Sequence, residues 1–425
     1  MGEHKVRAVH QTLSLFRNPV GANLVFALVC CVRPFFSAGF SPRLLCYLPD
    51  VGNLGILNLT MNEQILQTAR QLSDDIFRPH AQIADQGKID GQVAANVRML
   101  GENRYFGLGI SPDYGGLGAD ETTRREYTEL IASACGVTAF VQQQLHAGGG
   151  FVGGGRSQAL KDEKLPRFAS GEELCGVAFS HLRRGGPPMV TAERTHGGYL
   201  ISGKAPWVTG WSLLDSFILG AVRLPENDHI YFYTPKAGNE ATLLPGPAIP
   251  LVVMNASDTV EVVLDNLFLS DDFVLYERPT EALKRSDFCG VTGHVFLPLG
   301  CARGSVFALR VLAAQRHNEA FTHAADEFQK EIDTCRTDAL TWSGSCTELP
   351  DYKDRAFHAR AEAITLATRA AHAVVTATGG GAHLLSSPAQ RLLRESIFYT
   401  TTAQTSDVQS ATLDILTSPD CWNQG

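Results

Sequence analysis

The stretch ESIFYTTTAQTSDVQSATLDIL (Glu395 to Leu416) gathers hydroxyls at Thr400, Thr401, Thr402, Thr405 and Ser406, with no carboxylate between Glu395 and Asp407. Such a turn donates and accepts hydrogen bonds but takes up no proton near neutral pH. Elsewhere, spacing excludes several chemistries. His317 and His323 of HNEAFTH are six apart and fall on different helix faces, unlike the paired histidines of a zinc protease. The chain has no Gly-x-Ser-x-Gly elbow for a hydrolase. Its ten cysteines include no Cys-x-x-Cys pair, so neither a metal nor a disulfide frame is expected, and the usage fits a reducing compartment. GLGISPDYGGLGAD (107–120) has Pro112 where a dinucleotide loop needs its third glycine, and reads as a turn. HAGGGFVGGG (146–155) lacks the Gly-Lys-Ser/Thr ending of a phosphate loop, which leaves close backbone packing as its expected use. The adjacent Arg183 and Arg184 could clamp a phosphate or carboxylate, and equally fit a solvated loop.

The elements that must hold these residues follow from length and periodicity. A chain of 425 residues, 44% hydrophobic and 19% charged, has room for two or three packed units. A net charge of -8 argues against nucleic acid as a partner. The first sixty residues are basic (Lys5, Arg7, Arg17, Arg33, Arg43), and their apolar run VGANLVFALVCCV is shorter than the roughly 20 residues a membrane span needs. They read either as a signal or transit peptide or as a stretch ahead of a true start at Met61. From Met61 a helix begins with Ile65, Ala69, Leu72 and Ile76 on one face. We expect an extension over 1–60, an N-terminal helical domain over 61–171, a middle β domain over 172–285 and a C-terminal helical bundle over 286–425. GYLISGKAPWVTGW, SFILGAVRL, HIYFYT and DTVEVVLDNLFLSDDFVL carry the alternation of strands, consistent with a small antiparallel barrel or sandwich. The expected class is α+β, with an antiparallel β-barrel in the middle and a four-helix bundle at the end. Ala367, Ala370, Ala371 and Val374 mark a small-residue face on one bundle helix.

Three blocks carry a family resemblance. KLPRFASGEELCGVAFS (164–180) resembles "yLPrlasGE…aFalTEP", GGYLISGKAPWVTG (197–210) resembles "dgyvLNGrKtWiTn", and TGGGAHLLSSPAQRLLRE (378–395) resembles "GGnGy…yPveRllRDa". In that order, from Met61 to about Leu416, the chain is similar to the acyl-CoA dehydrogenase superfamily. The resemblance implies FAD held between the β domain and the bundle of a homodimer or homotetramer, and a small-molecule substrate, an acyl-CoA or another. By position it implies that Trp207 and Thr209 flank the flavin ring and that Ser180 meets its polar edge. Gly379 and Gly380 would admit the diphosphate, and Thr405 would also touch FAD. The family's FAD-contacting arginine falls at Glu319, with Arg316 close by. The resemblance also implies that the small-residue face of Ala367, Ala370, Ala371 and Val374 is buried between subunits.

The family's catalytic glutamate falls at Ala403, or at Thr400 when Tyr399 is aligned, and neither is acidic. Members that carry it on the first bundle helix place it at Gly293 or His294, which leaves His294 and Asp407 as candidate bases. His146, His181, Arg183 and Arg184 are candidate substrate contacts, and His383 a further histidine of interest. The readings are a FAD-dependent oxidoreductase, a flavin-dependent monooxygenase of the same fold, or a non-catalytic flavin-binding scaffold. The expected location is the cytoplasm, or an organelle if residues 1–60 are a transit peptide.

Overall fold

Thr60 opens the first helix, α1 (Met61–Leu72), and its hydroxyl accepts from the Glu63 amide while the Glu63 carboxylate accepts from the Thr60 amide. This reciprocal cap satisfies two amides that a helix start leaves without partners. The cap residue therefore stands ahead of Met61, where the sequence reading starts the folded part. The computed structural model describes residues 59–344, 346 and 351–418. The basic segment 1–58, and either reading of it, lies outside the described residues.

After α1 the N-terminal region runs through α2 (Arg78–Gln86), α3 (Ala94–Glu102), α4 (Glu121–Ala134), α5 (Gly136–Gly154) and α6 (Gln158–Ser170). The glycine run of α5 lets the helix lie directly on the sheet. A Cβ on Gly148 would fall 2.1 Å from the Cys175 carbonyl oxygen, and one on Gly154 would fall 2.2 Å from the Tyr276 hydroxyl.

The sheet comprises β1 (Cys175–Ala178), β2 (Val190–Thr195), β3 (Gly198–Val208), β4 (Ser216–Leu224), β5 (Asp228–Pro235), β6 (Leu243–Pro245), β7 (Val260–Ser270) and β8 (Val274–Arg278). Its order is β6-β7-β3-β2-β4-β5-β8, with β1 also on β4. β1 and β2 both run parallel to β4, and β6 and β8 end the row without meeting. The expected closed antiparallel barrel is thus corrected to an open, mixed sheet. Alternation along a strand fixes which side chains face the core, but says nothing about whether the first and last strands pair. β4 is covered on both faces, with Phe217, Ile218, Leu219 and Ala221 all buried, whereas β7 buries Val260, Val262 and Leu264 and turns Asp265 outward.

The C-terminal region begins with α7 (Thr280–Cys289) and continues with α8 (Phe296–Arg316), α9 (Glu319–Trp342), α10 (Tyr352–Thr378), α11 (Pro388–Thr401) and α12 (Ser406–Thr417). α8, α9, α10 and α11 pack together as a bundle, with α4 on its side. By length and composition, Val291–Arg316 could cross a membrane, yet 67% of that apolar window is buried inside the protein. Ala367, Ala370, Ala371 and Val374 are buried within the chain itself. They pack the bundle's own interior, which corrects the expected outer face. A disulfide, Cys289–Cys346, ties the end of α7 to the connection between α9 and α10. It corrects the all-thiol reading; its partners meet only because α8 and α9 fold back on each other, which no short spacing signals. Cys135, Cys175, Cys301 and Cys335 are free and buried.

Candidate functional site

The sheet supplies one wall. β3 pairs Ala205 with Val262 and Val208 with Val260 of β7, so Pro206 and Trp207 stand opposite Glu261 alone. This is a bulge, a device that re-aims a side chain, and it leaves the Trp207 indole 41% exposed on an otherwise buried strand end. Thr209 follows, buried, with its hydroxyl 3.0 Å from that of Thr259, which lies 2.8 Å from the Ser257 hydroxyl. Ser180 begins a short turn, Ser180–Arg183, that packs against β3 and β4, and its side chain is exposed.

At the far end of α10, Gly379 adopts φ 74 and ψ -148, a conformation open to glycine and costly for other residues. An added Cβ at Gly379 or Gly380 would have no neighbour within 4 Å, so the backbone there is open to a ligand. Arg316, at the end of α8, donates to the Ala377 and Thr378 carbonyls at 2.7 and 3.1 Å. The arginine that the sequence left only nearby therefore sits directly beside this glycine turn.

The hydroxyl-rich stretch between α11 and α12 bonds its own backbone at four positions. Thr400 donates to the Ser396 carbonyl, and Thr401 and Thr402 both donate to that of Phe398. Thr405 caps α12 by accepting from the Val408 amide at 3.3 Å. These four hydroxyls serve their own backbone, as threonines at helix ends commonly do. Ala403 takes φ 50 to turn the chain between the two helices. Asp407 lies on the first turn of α12, half-exposed and 3.4 Å from Lys353.

The turn lies close to the start of α8 through one side chain that the sequence reading did not single out. Arg360 of α10 is buried, and its guanidinium donates to the His294 carbonyl, to the Tyr399 carbonyl at 3.1 Å and to the Thr402 carbonyl at 2.9 Å. The two positions at which the resemblance places a base are thereby brought together. Burial first, then Arg360, Arg125 and Arg183, push the His294 imidazole down to about 3, so the ring is neutral. Its Nδ1 is buried without a protein partner. The available signal for Arg360 was a charge set on the alanine stripe of α10, four residues from both Ala356 and Ile364, which are buried.

The remaining candidates are committed elsewhere. His146 Nε2 lies 2.9 Å from the Tyr105 carbonyl, within the N-terminal helices, and burial holds the ring down at about 4. His181 is buried with Nε2 2.9 Å from the Gly220 carbonyl, and burial lowers it likewise to about 4. Arg183 closes its fork on Asp287 at 2.8 and 2.7 Å, which corrects its reading as a free substrate clamp. Arg184 is exposed and reaches the Met189 sulfur at 3.7 Å, and His383 is exposed. Among the described residues, no three His, Cys, Asp or Glu side chains converge on a metal position.

A family model described as the acyl-CoA dehydrogenase N-terminal domain matches residues 60–172. Over 377 residues the chain is 22% identical to mitochondrial isovaleryl-CoA dehydrogenase of Solanum tuberosum, covering 82% of this chain and 88% of that one. Butyryl-CoA dehydrogenase of Megasphaera elsdenii superposes with a TM-score of 0.73 at 17% identity, over 85% of this chain and 100% of the other. Dibenzothiophene monooxygenase of Paenibacillus sp. A11-2 superposes with a TM-score of 0.68 at 18% identity, over 83% and 97%. The N-terminal helices match the acyl-CoA dehydrogenase N-terminal domain, and the rest of the chain is similar to these relatives along most of its length and shares with the solved structures the order of helices, sheet and bundle.

Proposed function

We propose that this protein is a FAD-dependent oxidoreductase acting on a small-molecule substrate, an acyl-CoA or another, with no carboxylate serving as base in the α11–α12 turn. The observation that carries the reading is the β3 bulge, which leaves the Trp207 indole exposed two residues before Thr209 on a strand against which the turn of the exposed Ser180 also packs. A flavin needs an aromatic wall, donors for its polar edge and backbone near its phosphates. Trp207 supplies the first, Ser180 and Thr209 the second. The open Gly379–Gly380 backbone beside Arg316 supplies the third, toward a neighbouring subunit of a homodimer or homotetramer. When bound, the isoalloxazine supplies a two-electron acceptor. Exposed apolar residues on the helical region, among them Phe307, Leu384, Leu385 and Ile397, support self-association.

The proton side is where this chain departs from its relatives. Thr400 is bonded to Ser396, Ala403 has no polar side chain, and Asp407 faces Lys353. His294, neutral and with an unpartnered Nδ1, is the remaining acceptor. A positioned base contributes about 10²–10⁴-fold, so brisk dehydrogenation of ordinary acyl-CoAs is not expected. The same feature supports a second reading, a monooxygenase like the Paenibacillus protein of this fold, which would not depend on that carboxylate.

The test is spectroscopic. The purified full chain, mixed with FAD and desalted, is expected to keep a flavin absorbance band; a colourless product sinks the cofactor assignment. Anaerobic bleaching by a panel of acyl-CoAs is expected to be slow. Fast bleaching abolished by His294→Gln would make His294 the base. Bleaching by a reductant followed by oxygen insertion into an aromatic substrate would favour the monooxygenase, and a stable, inert flavin the scaffold.

A further inference from the structure

We propose that Arg360 is the positioning residue of the candidate site: from α10 it locks the α11–α12 turn onto the start of α8, so that His294 and Thr400–Ala403 keep one fixed spacing. Its place is costly unless it does such work. A guanidinium on the buried stripe of α10 needs acceptors for its N–H groups; its two terminal nitrogens donate to main-chain carbonyls alone, its Nε has no protein partner, and no carboxylate is in contact among the described residues. Tyr399 and Thr402 offer carbonyls at the end of α11, which the helix itself leaves without donors and where its dipole is negative. The third carbonyl belongs to His294, two residues before α8. The planar fork of arginine can reach acceptors from two separate segments at once, which a single ammonium does less well. The hydroxyls of Thr400, Thr401, Thr402 and Thr405 bond local backbone and take no part in this link.

A second arginine braces the same start. Arg125 of α4 donates to the Gly293 carbonyl at 3.3 Å and is held by Glu121 at 2.9 Å, which also accepts from Ser343 at 2.6 Å. A Cβ on Gly293 would fall 2.6 Å from the Arg125 guanidinium, so a larger residue there would push the guanidinium aside. Just upstream, the Tyr352 hydroxyl donates to the Cys289 carbonyl at 2.9 Å. His294 thus faces cations from α10, α4 and the turn after β1, and the nearby carboxylates, Glu121 and Asp287, are each engaged by one of those cations. Arg125 and Arg183 carry carboxylate partners, whereas Arg360 carries none. The depressed imidazole agrees with this geometry: the ring offers a lone pair instead of a proton.

The assignment rests on reading His294 and the turn as the site. Its tests need neither cofactor nor substrate, so it can fail while that reading stands, and the flavin titration can fail while it stands. The experiment compares the full wild-type chain with Arg360→Met and Arg360→Lys by hydrogen exchange and by isotope-labelled histidine NMR. In Arg360→Met, amides of 291–299 and 396–405 are expected to lose about tenfold protection together while the β3–β7 ladder is unchanged. The His294 titration should move up toward its ordinary 6.5. Arg360→Lys should restore the titration, which depends on charge, and restore protection only in part. The assignment is overturned by unchanged exchange in either segment, by equal loosening of the β3–β7 ladder, or by an unmoved His294. Should Arg360→Met fail to accumulate, Arg360→Lys decides: joint loosening of both segments over an intact sheet supports the lock, and full protection in either segment overturns it.

Discussion

Trp207 stands on a strand held by hydrogen-bonded neighbours on both sides, β2 and β7. The turn after α11 is instead held by a buried cation from another helix. One wall is neutral and made from backbone ladders; the other is charged and made from side chains reaching between elements. Ladder bonds are many and individually replaceable, so single side-chain changes on the sheet wall should be tolerated. A buried charge has few substitutes, and losing one partner leaves the other exposed to the full cost of desolvation.

The strongest way to test this contrast is Glu129 of α4, fully buried and paired with Arg303 at 3.3 Å and Arg336 at 2.7 Å. Glu129→Gln should destabilise the protein by about 3–5 kcal/mol in urea unfolding. A loss under about 1 kcal/mol would mean that the helical side holds its charges no more tightly than a surface pair does.

Acid should act next. His146, His181 and His294 are held down at about 4, about 4 and about 3, against an ordinary 6.5. Below 6.5 the unfolded chain binds protons that the folded chain refuses. The stabilisation is therefore complete above 6.5 and is lost as pH falls toward 4. Each ring adds a slope of up to about 1.4 kcal/mol per pH unit. His181→Gln should flatten the urea midpoint against pH across that window, and an unchanged slope would show that the ring is hydrated in solution.

On the sheet wall the expected losses are smaller. Thr259→Val removes the hydroxyl shared by Thr209 and Ser257 and should cost about 1–3 kcal/mol, read by thermal melting. It should also weaken FAD retention; undiminished retention would show that Thr209 is held by β3 alone. The smallest effect is expected at the other end of the chain. A protein beginning at Met61 loses the Thr60 cap and should be less stable by about 1 kcal/mol, with no change in flavin content. An unshifted melting temperature would show that Glu63 and water serve the first amides equally well.

What the sequence disclosed follows the same divide. Period-two alternation located β3, β4, β5 and β7, and the block around Trp207 marked the sheet wall, since strand patterns and short motifs are local. Closure of the sheet is not local, and the barrel expectation failed for that reason. The small-residue stripe of α10 was legible as a close-packed face, but alanine spacing cannot say whether the covering helix comes from the same chain. The threonines of the α11–α12 turn were visible as hydroxyls, and only the fold reveals that their bonds return to Ser396, Phe398 and Val408. Arg360 depends on three segments more than a hundred residues apart at the extremes, and no window along the chain contains them.

The Cys289–Cys346 bridge closes a loop of 57 residues that contains all of α8 and α9. A crosslink of that span withdraws chain entropy from the unfolded ensemble, on the order of 4 kcal/mol in the loop-closure description. That amount is comparable to the whole margin by which many domains stay folded. The same polypeptide would then exist as two materials: an oxidised form with a generous reserve against heat and mutation, and a reduced form living near its threshold. Whichever thiol environment surrounds the protein decides how many of its other imperfections it can tolerate.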